Sequence, residues 1–234
     1  LTETQISTSG SAYNPFIWKD KIVWEDGRDG NSDIYLYDIL THNETRITTS
    51  GRAFDPKLYG NKVVWRDQRN LGQEGLTYGD IYMYDLSTSS ETQITTGGLV
   101  WGSPAIYGDR IVYSKAEDMY LYDEDVYVYN LSTSKETRIT TSGKASSPSI
   151  YEDRVLYGDF RDSRSLFMYN LSTSQETQSP TDKNVWWPEI YSDRIVWYDT
   201  HFDDNFHIYY DIFMYDLFTS QITRITNSGN AFYP

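Results

Sequence analysis

The chain has 234 residues, of which 38% are hydrophobic, enough to bury the core of one large domain or two small ones. Thirty-four acidic residues against twenty basic ones leave a net charge of −14, a field that repels phosphate backbones and anionic headgroups and speaks against nucleic acid and membrane surfaces as partners. Cysteine is absent, which excludes disulfides, thiolate metal sites, Cys nucleophiles and iron–sulfur clusters.

The longest apolar runs are a handful of residues where a membrane helix needs about 20, so no transmembrane segment is expected. Leu1 does not open a signal peptide, and the expectation is a soluble, already processed segment. Aromatic residues make up 16% of the chain, 22 of them Tyr, and rings at that density favour pleated surfaces.

In chain order, Glu3-Thr-Gln-Ile returns as Glu44-Thr-Arg-Ile-Thr, Glu91-Thr-Gln-Ile-Thr, Glu136-Thr-Arg-Ile-Thr, Glu176-Thr-Gln and Ile222-Thr-Arg-Ile-Thr. Successive copies start 41, 47, 45, 40 and 46 residues apart, the length of a four-stranded propeller blade. Four strands, a to d, are predicted in each unit. Strand a starts at a proline (Pro15, Pro56, Pro104, Pro148, Pro188), where a first residue need not donate to the ladder. A two-residue turn follows, Lys19-Asp20 in the first unit and Gly60-Asn61, Gly108-Asp109, Glu152-Asp153 and Ser192-Asp193 in the others. Strand b is Lys21-Ile-Val-Trp and its copies at 62, 110, 154 and 194; strand c alternates, as in Asp33-Ile-Tyr-Leu-Tyr-Asp, with copies at 80, 125, 165 and 211. Strand d is the Glu-Thr-Arg-Ile-Thr segment. No window has helical periodicity.

The prediction is an all-β fold, a β-propeller of about five four-stranded blades with six as the alternative. It forms a single domain over 1–234, with repeat units starting near 3, 44, 91, 136 and 176 and a partial unit at 222–234. Strands a, b and c occur five times and strand d six times, because both termini carry a copy. One d strand is therefore surplus: a sixth blade lies outside the chain, the strand frays, or it pairs with a neighbouring molecule.

The order Pro-x-Ile-Tyr-Gly-Asp-Arg-Ile-Val-Tyr/Trp, Asp-Ile-Tyr-Met-Tyr-Asp-Leu, Thr-x-Ile-Thr resembles the TolB-type (PD40/WD40-like) propeller repeat of archaeal and bacterial cell-surface proteins, over essentially the whole chain. The resemblance implies an extracellular or cell-surface location. It does not fix an activity, since propellers serve as lyases, glycosidases, peptidase gates and binding modules.

In a propeller the d-to-a and b-to-c loops share the face around the channel mouth, and here they are the variable part. Two positions before the strand-a proline stand Tyr13, Phe54, Gly102, Ser146 and Trp186, with Trp101 and Trp187 adjacent. These rings form a partial aromatic rim able to stack on sugars or grip an apolar side chain, or else they plug gaps between blades. After the proline come Phe16, Lys57, Ala105, Ser149 and Glu189, five different residues that the scaffold does not dictate. Asp55 and Glu189, with Lys57 as charge partner, form the one candidate acid–base pair for a glycosidic bond; ordinary solvated carboxylates are the competing reading.

Asp-x-Arg recurs at Asp26, Asp67 and Asp159, and repetition marks it as structural, an Arg fork joining loops through carboxylates. The acidic run from Asp26 to Asp33 puts Arg28 and Gly30 at EF-hand ligand positions and Tyr37 where the bidentate Glu belongs, so it fails as that motif. His201-Phe-Asp203-Asp204-Asn-Phe-His207 matches no zinc spacing. The triplets at Asn43, Asn130 and Asn170 are glycosylation candidates beside the turn that leaves strand c, where Asn equally replaces a turn-forming Asp. No phosphate cradle, nucleophile elbow or zincin motif occurs.

These observations point to a non-enzymatic binding or scaffold module with no cofactor, metal or catalytic residue. Its channel-mouth candidates are Tyr13, Phe54, Trp101, Trp186, Trp187, Lys57 and Glu189. Its partners are a protein or glycan at the cell surface, or copies of itself joined by exchange of a terminal strand into an oligomer or filament. The competing class is a carbohydrate-active enzyme, glycosidase or polysaccharide lyase, on the same ring. A periplasmic accessory protein of the TolB kind is expected to need an additional N-terminal domain.

Overall fold

The computed structural model describes residues 3–71, 78–118, 123–162, 164–181, 185–202 and 207–231. The short alternating segments, rich in β-branched and aromatic residues, fold as strands. The first blade consists of β1 (Ala12–Trp18), β2 (Lys21–Asp26), β3 (Asp33–Asp38) and β4 (Asn43–Arg46), and the second of β5 (Ala53–Tyr59), β6 (Lys62–Asp67), β7 (Asp80–Asp85) and β8 (Ser90–Gln93). The third has β9 (Val100–Tyr107), β10 (Arg110–Ala116), β11 (Glu124–Asn130) and β12 (Lys135–Arg138), and the fourth β13 (Ala145–Tyr151), β14 (Arg154–Asp159), β15 (Ser165–Asn170) and β16 (Gln175–Gln178). The fifth has β17 (Val185–Tyr191), β18 (Arg194–Phe202), β19 (Ile208–Asp216) and β20 (Gln221–Arg224). Each blade is a sheet of four consecutive strands in sequence order, so the fold is an all-β propeller of five blades. The one helical element among the described residues is the 3₁₀ turn Phe160–Asp162.

Strand a begins three or four residues before its proline, not at it. In β1, Tyr13 pairs with Glu25 and Phe16 with Val23, so Asn14 and Pro15 together face Trp24 in a β-bulge. The proline that lacks an N–H thus sits where the ladder is already interrupted. The bulge drives one residue into the left-handed region: Asn14 (φ 48°), Asp55 (57°), Gly102 (70°), Ser147 (56°) and Trp187 (42°).

The surplus-strand question resolves on the C-terminal side. β20 pairs with β19 and stays in its own blade, while residues 3–8 belong to no strand. The N-terminal segment nevertheless docks as its internal copies do. Ser9 hydrogen-bonds Asp26, as Ser50 and Ser142 donate to Asp67 and Asp159 at 3.0 and 2.8 Å.

The chain divides into two compact units, 1–108 and 109–234. In the first, β5 packs on β1 and β2, and β9 on β5 and β6; in the second, β13 packs on β10 and β11, and β17 on β13 and β14. The cores lie between blades. Val23, Ile34, Leu58 and Trp65 form one, and Leu156, Leu166, Ile190 and Trp197 another. Because neighbours cover both faces, strand c is buried on both: Ile34, Tyr35 and Leu36 are each 5% exposed or less.

Much of the aromatic content is repeated structure. A cross-strand pair joins strands b and c in every blade, Trp24–Tyr35, Trp65–Tyr82, Tyr113–Tyr127, Tyr157–Phe167 and Trp197–Phe213, with centroids 5.9 to 6.2 Å apart. At the end of strand a, Trp18 meets Tyr59 at 4.5 Å and Tyr59 meets Tyr107 at 4.7 Å, while Tyr151 meets Tyr191 at 5.2 Å.

The first residue of strand c carries the deepest polar contact. Asp33, 1% exposed, accepts from Thr48 Oγ1 at 2.7 Å, from the Gly51 amide at 3.1 Å and from Arg46 at 2.6 Å. Thr48 Oγ1 in turn accepts the Ile34 amide at 2.9 Å. The same arrangement recurs at Asp80 with Thr95 and Gly98, at Asp125 with Thr140, Gly143 and Arg138, and at Asp211 with Thr226, Gly229 and Arg224. One carboxylate thereby ties strand c to strand d and to the loop that leaves the blade. Burial would raise Asp211, but the bonds from Arg224, Thr226 and Gly229 outweigh it and hold its pKa below the usual carboxylate range.

Asp33→Ala is expected to cost about 2–4 kcal/mol in urea denaturation, because it strands the Thr48 hydroxyl, the Gly51 amide and the Arg46 guanidinium. Glu44→Gln, on the exposed β4, should cost less than about 1 kcal/mol. Since the Asp211 pKa is depressed, its contribution is intact above its unfolded pKa of about 3.9 and is lost as pH falls through the folded value, so denaturation midpoints should drop below about pH 4.

Candidate functional site

Two layers of loop residues meet where strand b hands over to strand c. In the repeated layer, Asp26 accepts from Trp24 Nε1 at 3.0 Å and from Arg28 at 2.6 Å, while Arg28 also reaches Glu44 at 2.6 Å and lies 4.0 Å from the Tyr35 ring. Arg69 does the same with Asp67, Glu91 and Tyr82, and Arg161 with Asp159, Glu176 and Phe167. The Asp-x-Arg motif is structural, as expected, but it ties the end of strand b to strand d and not loop to loop. Burial would raise Asp26; hydrogen bonds from Arg28, Trp24 and Ser9 overcome it and hold the carboxyl well below its usual range.

The other layer differs in every blade. It holds the residue after the strand-b aromatic (Glu25, Arg66, Ser114, Gly158, Tyr198), the residue before strand c (Ser32, Gly79, Glu124, Arg164, Tyr210) and the bulge of strand a.

In the first unit this layer is a closed polar network. Glu25, 1% exposed, accepts from Asn14 Nδ2 at 2.7 Å and from the Asp55 amide at 2.7 Å, and so joins the bulges of two blades. Burial pushes its pKa up, against those hydrogen bonds. Arg66 donates to Asp55 Oδ2 at 2.8 Å and to the Gly102 carbonyl at 3.2 Å, joining the second bulge to the third. Phe54 lies 5.3 Å from the Arg66 guanidinium, Lys57 Nζ is 4.7 Å from the Phe16 ring, and the exposed Tyr13 donates to Ser32 Oγ at 3.3 Å. Trp101 is half-buried on β9.

In the second unit the layer is aromatic. Gly158 has no side chain, and Arg164 fills the space, its Nε 3.8 Å from where a Cβ on residue 158 would stand. Arg164 is 5% exposed. Its Nε donates to the Val185 carbonyl at 2.7 Å, and its guanidinium lies 3.4 Å from the Trp186 ring centre and 4.2 Å from that of Phe160. Trp186 stacks beside Tyr198 (6.2 Å, 8°), and Trp187 packs on the same Tyr198 at 5.7 Å. Burial lowers the Arg164 pKa to about 10. Burial also pushes Glu124 up to about 7, opposed by Arg164 and reinforced by Asp123.

The predicted rim residues thus divide between the units, and the candidate acids Asp55 and Glu189 fall in different ones. Asp55 is held by Arg66 in the first unit; the half-buried Glu189 lies on β17 opposite Val196 in the second. Glu25, Arg66, Glu124, Arg164 and Tyr198 were not singled out from sequence. The signal that exposes them, five different residues at one repeat position, had been applied only to strand a. Of the His201–His207 cluster, residues 203–206 lie outside the described residues, and among the described residues no three His, Cys, Asp or Glu converge on a metal-sized space. Asn130 and Asn170 accept the amides of Thr133, Ser172 and Thr173, as Asp38 and Asp216 do in their blades.

Glu124→Gln should leave stability unchanged near pH 4 and raise it by about 2 kcal/mol near pH 8.5, with partial exposure allowed for. The raised folded pKa means that the neutral carboxyl's contribution is complete below the unfolded pKa of about 4.3 and is lost as pH rises through about 7, whereas Gln stays neutral. Urea denaturation at the two pH values reads the difference.

No protein-family model matches the chain, and no curated protein is significantly similar to it. Solved structures are similar in fold. The putative TolB from Agrobacterium tumefaciens superposes with a TM-score of 0.69 at 14% identity, over 92% of this chain and 80% of that one. TolB from Acinetobacter baumannii gives 0.64 at 15% identity, over 83% of this chain, which spans about half (49%) of that protein's length. An oligogalacturonate lyase in complex with manganese gives 0.60 at 16% identity, over 88% of this chain and 62% of that one. The chain therefore has the fold of TolB-like β-propellers.

Proposed function

We propose that the chain is a non-enzymatic binding module, extracellular or at the cell surface, that presents a rigid propeller face to a protein or glycan. One observation carries this reading. The Asp33-type clamp and the Asp26-type fork recur from blade to blade, while the layer beside them, with Tyr13, Phe54, Trp101, Trp186, Trp187, Lys57 and Glu189, is different in each. Repeated residues build blades, and unrepeated ones are open to recognition. Extracellular placement draws on the resemblance to cell-surface repeats and on the acceptor triplets at Asn43, Asn130 and Asn170.

A second reading, a carbohydrate-active enzyme, is favoured by Glu124, whose carboxyl is held near 7, the range suited to proton transfer at neutral pH. The two readings part on turnover. The unmutated protein is expected to release no reducing ends or unsaturated products from a broad polysaccharide panel. Turnover that disappears in Glu124→Gln, Asp55→Ala or Glu189→Ala would establish the enzyme instead.

Self-assembly belongs to the same proposal. Residues 3–8 repeat a strand-d sequence without occupying a strand, so they are the segment available for exchange. Light scattering of the full chain should show larger species as concentration rises, and removal of residues 1–8 should abolish them. A monomer at every concentration would refute the exchange.

A further inference from the structure

The second unit holds an arginine with no ion pair at contact distance, where five arginines of the neighbouring layers have one. Arg28, Arg46, Arg66, Arg69 and Arg161 each reach a carboxylate within 2.8 Å. Arg164 is more deeply buried than any of these, yet among the described residues no carboxylate lies within ion-pair distance of it, and Glu124 acts on it only at longer range. Its one hydrogen bond there runs from Nε to Val185, which leaves the two terminal nitrogens without a partner. A largely buried guanidinium held 3.4 Å from the Trp186 ring centre is preorganised for a planar oxyanion.

Two further observations place a ligand here. The indole Nε1 of Trp186 is buried with no hydrogen-bond partner, so a donor aimed into the same cluster is also unsatisfied. Trp187 and Arg164 have φ of 42° and 53°, left-handed conformations that bulky side chains avoid. The other non-glycine residues with such φ are Asn14, Asp55 and Ser147, small residues in the equivalent bulges, or lie in turns such as Lys19 and Ser192. A tryptophan kept in a strained slot, beside an arginine kept in another, marks a site whose ring and cation serve something besides the fold.

We propose that Arg164, Trp186 and Trp187 form a binding subsite for the uronate units of an acidic oligosaccharide, the guanidinium taking the carboxylate and the indoles the sugar face. The proposal rests on the binding-module reading and names its ligand. The two chemistries, one carboxylate partner and adjoining aromatic surface, coincide in a uronate ring and not in a neutral sugar. A net charge of −14 opposes any anion at long range, so the protein holds one by a dehydrated contact at a single buried cation.

The test titrates the full chain with trigalacturonate, followed by calorimetry and by tryptophan emission, with galactotriose and triglutamate as controls. Saturable binding of trigalacturonate alone is expected, with a dissociation constant at or below roughly millimolar. Arg164→Met should weaken it about tenfold or more. Should that variant fail to fold, Trp187→Asn carries the test: it takes the residue the first blade uses, so the urea midpoint should stay close to wild type while affinity falls about tenfold. No saturable binding, equal binding of galactotriose, equal binding of triglutamate, or unchanged affinity in Trp187→Asn would each overturn the subsite. Failure of the subsite leaves the binding-module reading standing. Cleavage of bound trigalacturonate would end the non-enzymatic reading while leaving the subsite in place.

Discussion

A buried carboxylate at the first residue of strand c holds each of four blades in shape. Asp33, Asp80, Asp125 and Asp211 are all 3% exposed or less, and each accepts a threonine hydroxyl from strand d and a glycine amide from the loop beyond. An ion so deep is tolerated only when its lone pairs are filled, and the sequence Thr-x-Ile-Thr-x-x-Gly supplies the donors. The fourth blade has Ser165 in this place and Pro180, which has no hydroxyl, where the others have the threonine. The carboxylate and its hydroxyl donor are thus absent together, as expected of two positions that depend on each other.

What could be read from sequence follows from the same fact. Anything the clamp and the aromatic pairs require is repeated, so blade number, strand order and the structural nature of Asp-x-Arg were legible from period and pattern. The start of strand a was misplaced because a proline looks like a beginning, whereas the bulge lets the strand run through it. The alternation of strand c does not tell which faces are covered; blade stacking buries both, and only tertiary packing determines that. The terminal strand was ambiguous because two similar segments competed for one place, and sequence similarity cannot say which one pairs.

The candidate site was half legible. Tyr13, Phe54, Trp186 and Trp187 stood out as rings at a variable position. Arg164 and Glu124 did not, since each stands one residue before the strand-c acid or its serine, in a stretch of ordinary polar composition. Their character comes from what surrounds them: the missing side chain at Gly158, the Trp186 face, and the absence of a carboxylate that the first unit provides through Asp55. Equivalent positions therefore have opposite chemistry in the two units. Glu25, Asp55 and Arg66 satisfy one another, whereas Arg164 has only the Val185 carbonyl on its Nε and no carboxylate in contact.

A seam recurs at the first, second and fourth blades: a serine in the loop before the blade donates to the aspartate that ends its strand b, as Ser50 does to Asp67 and Ser142 to Asp159, and Ser9 bonds Asp26. Duplicating a repeat that carries this serine and aspartate would break one such seam and remake an equivalent one, so the gene can grow by recombination between those copies at little cost to the folded product. Recognition residues kept off the seam, as Arg164 and Trp187 are, can diverge in a newly copied blade while the copy remains joined to its neighbours.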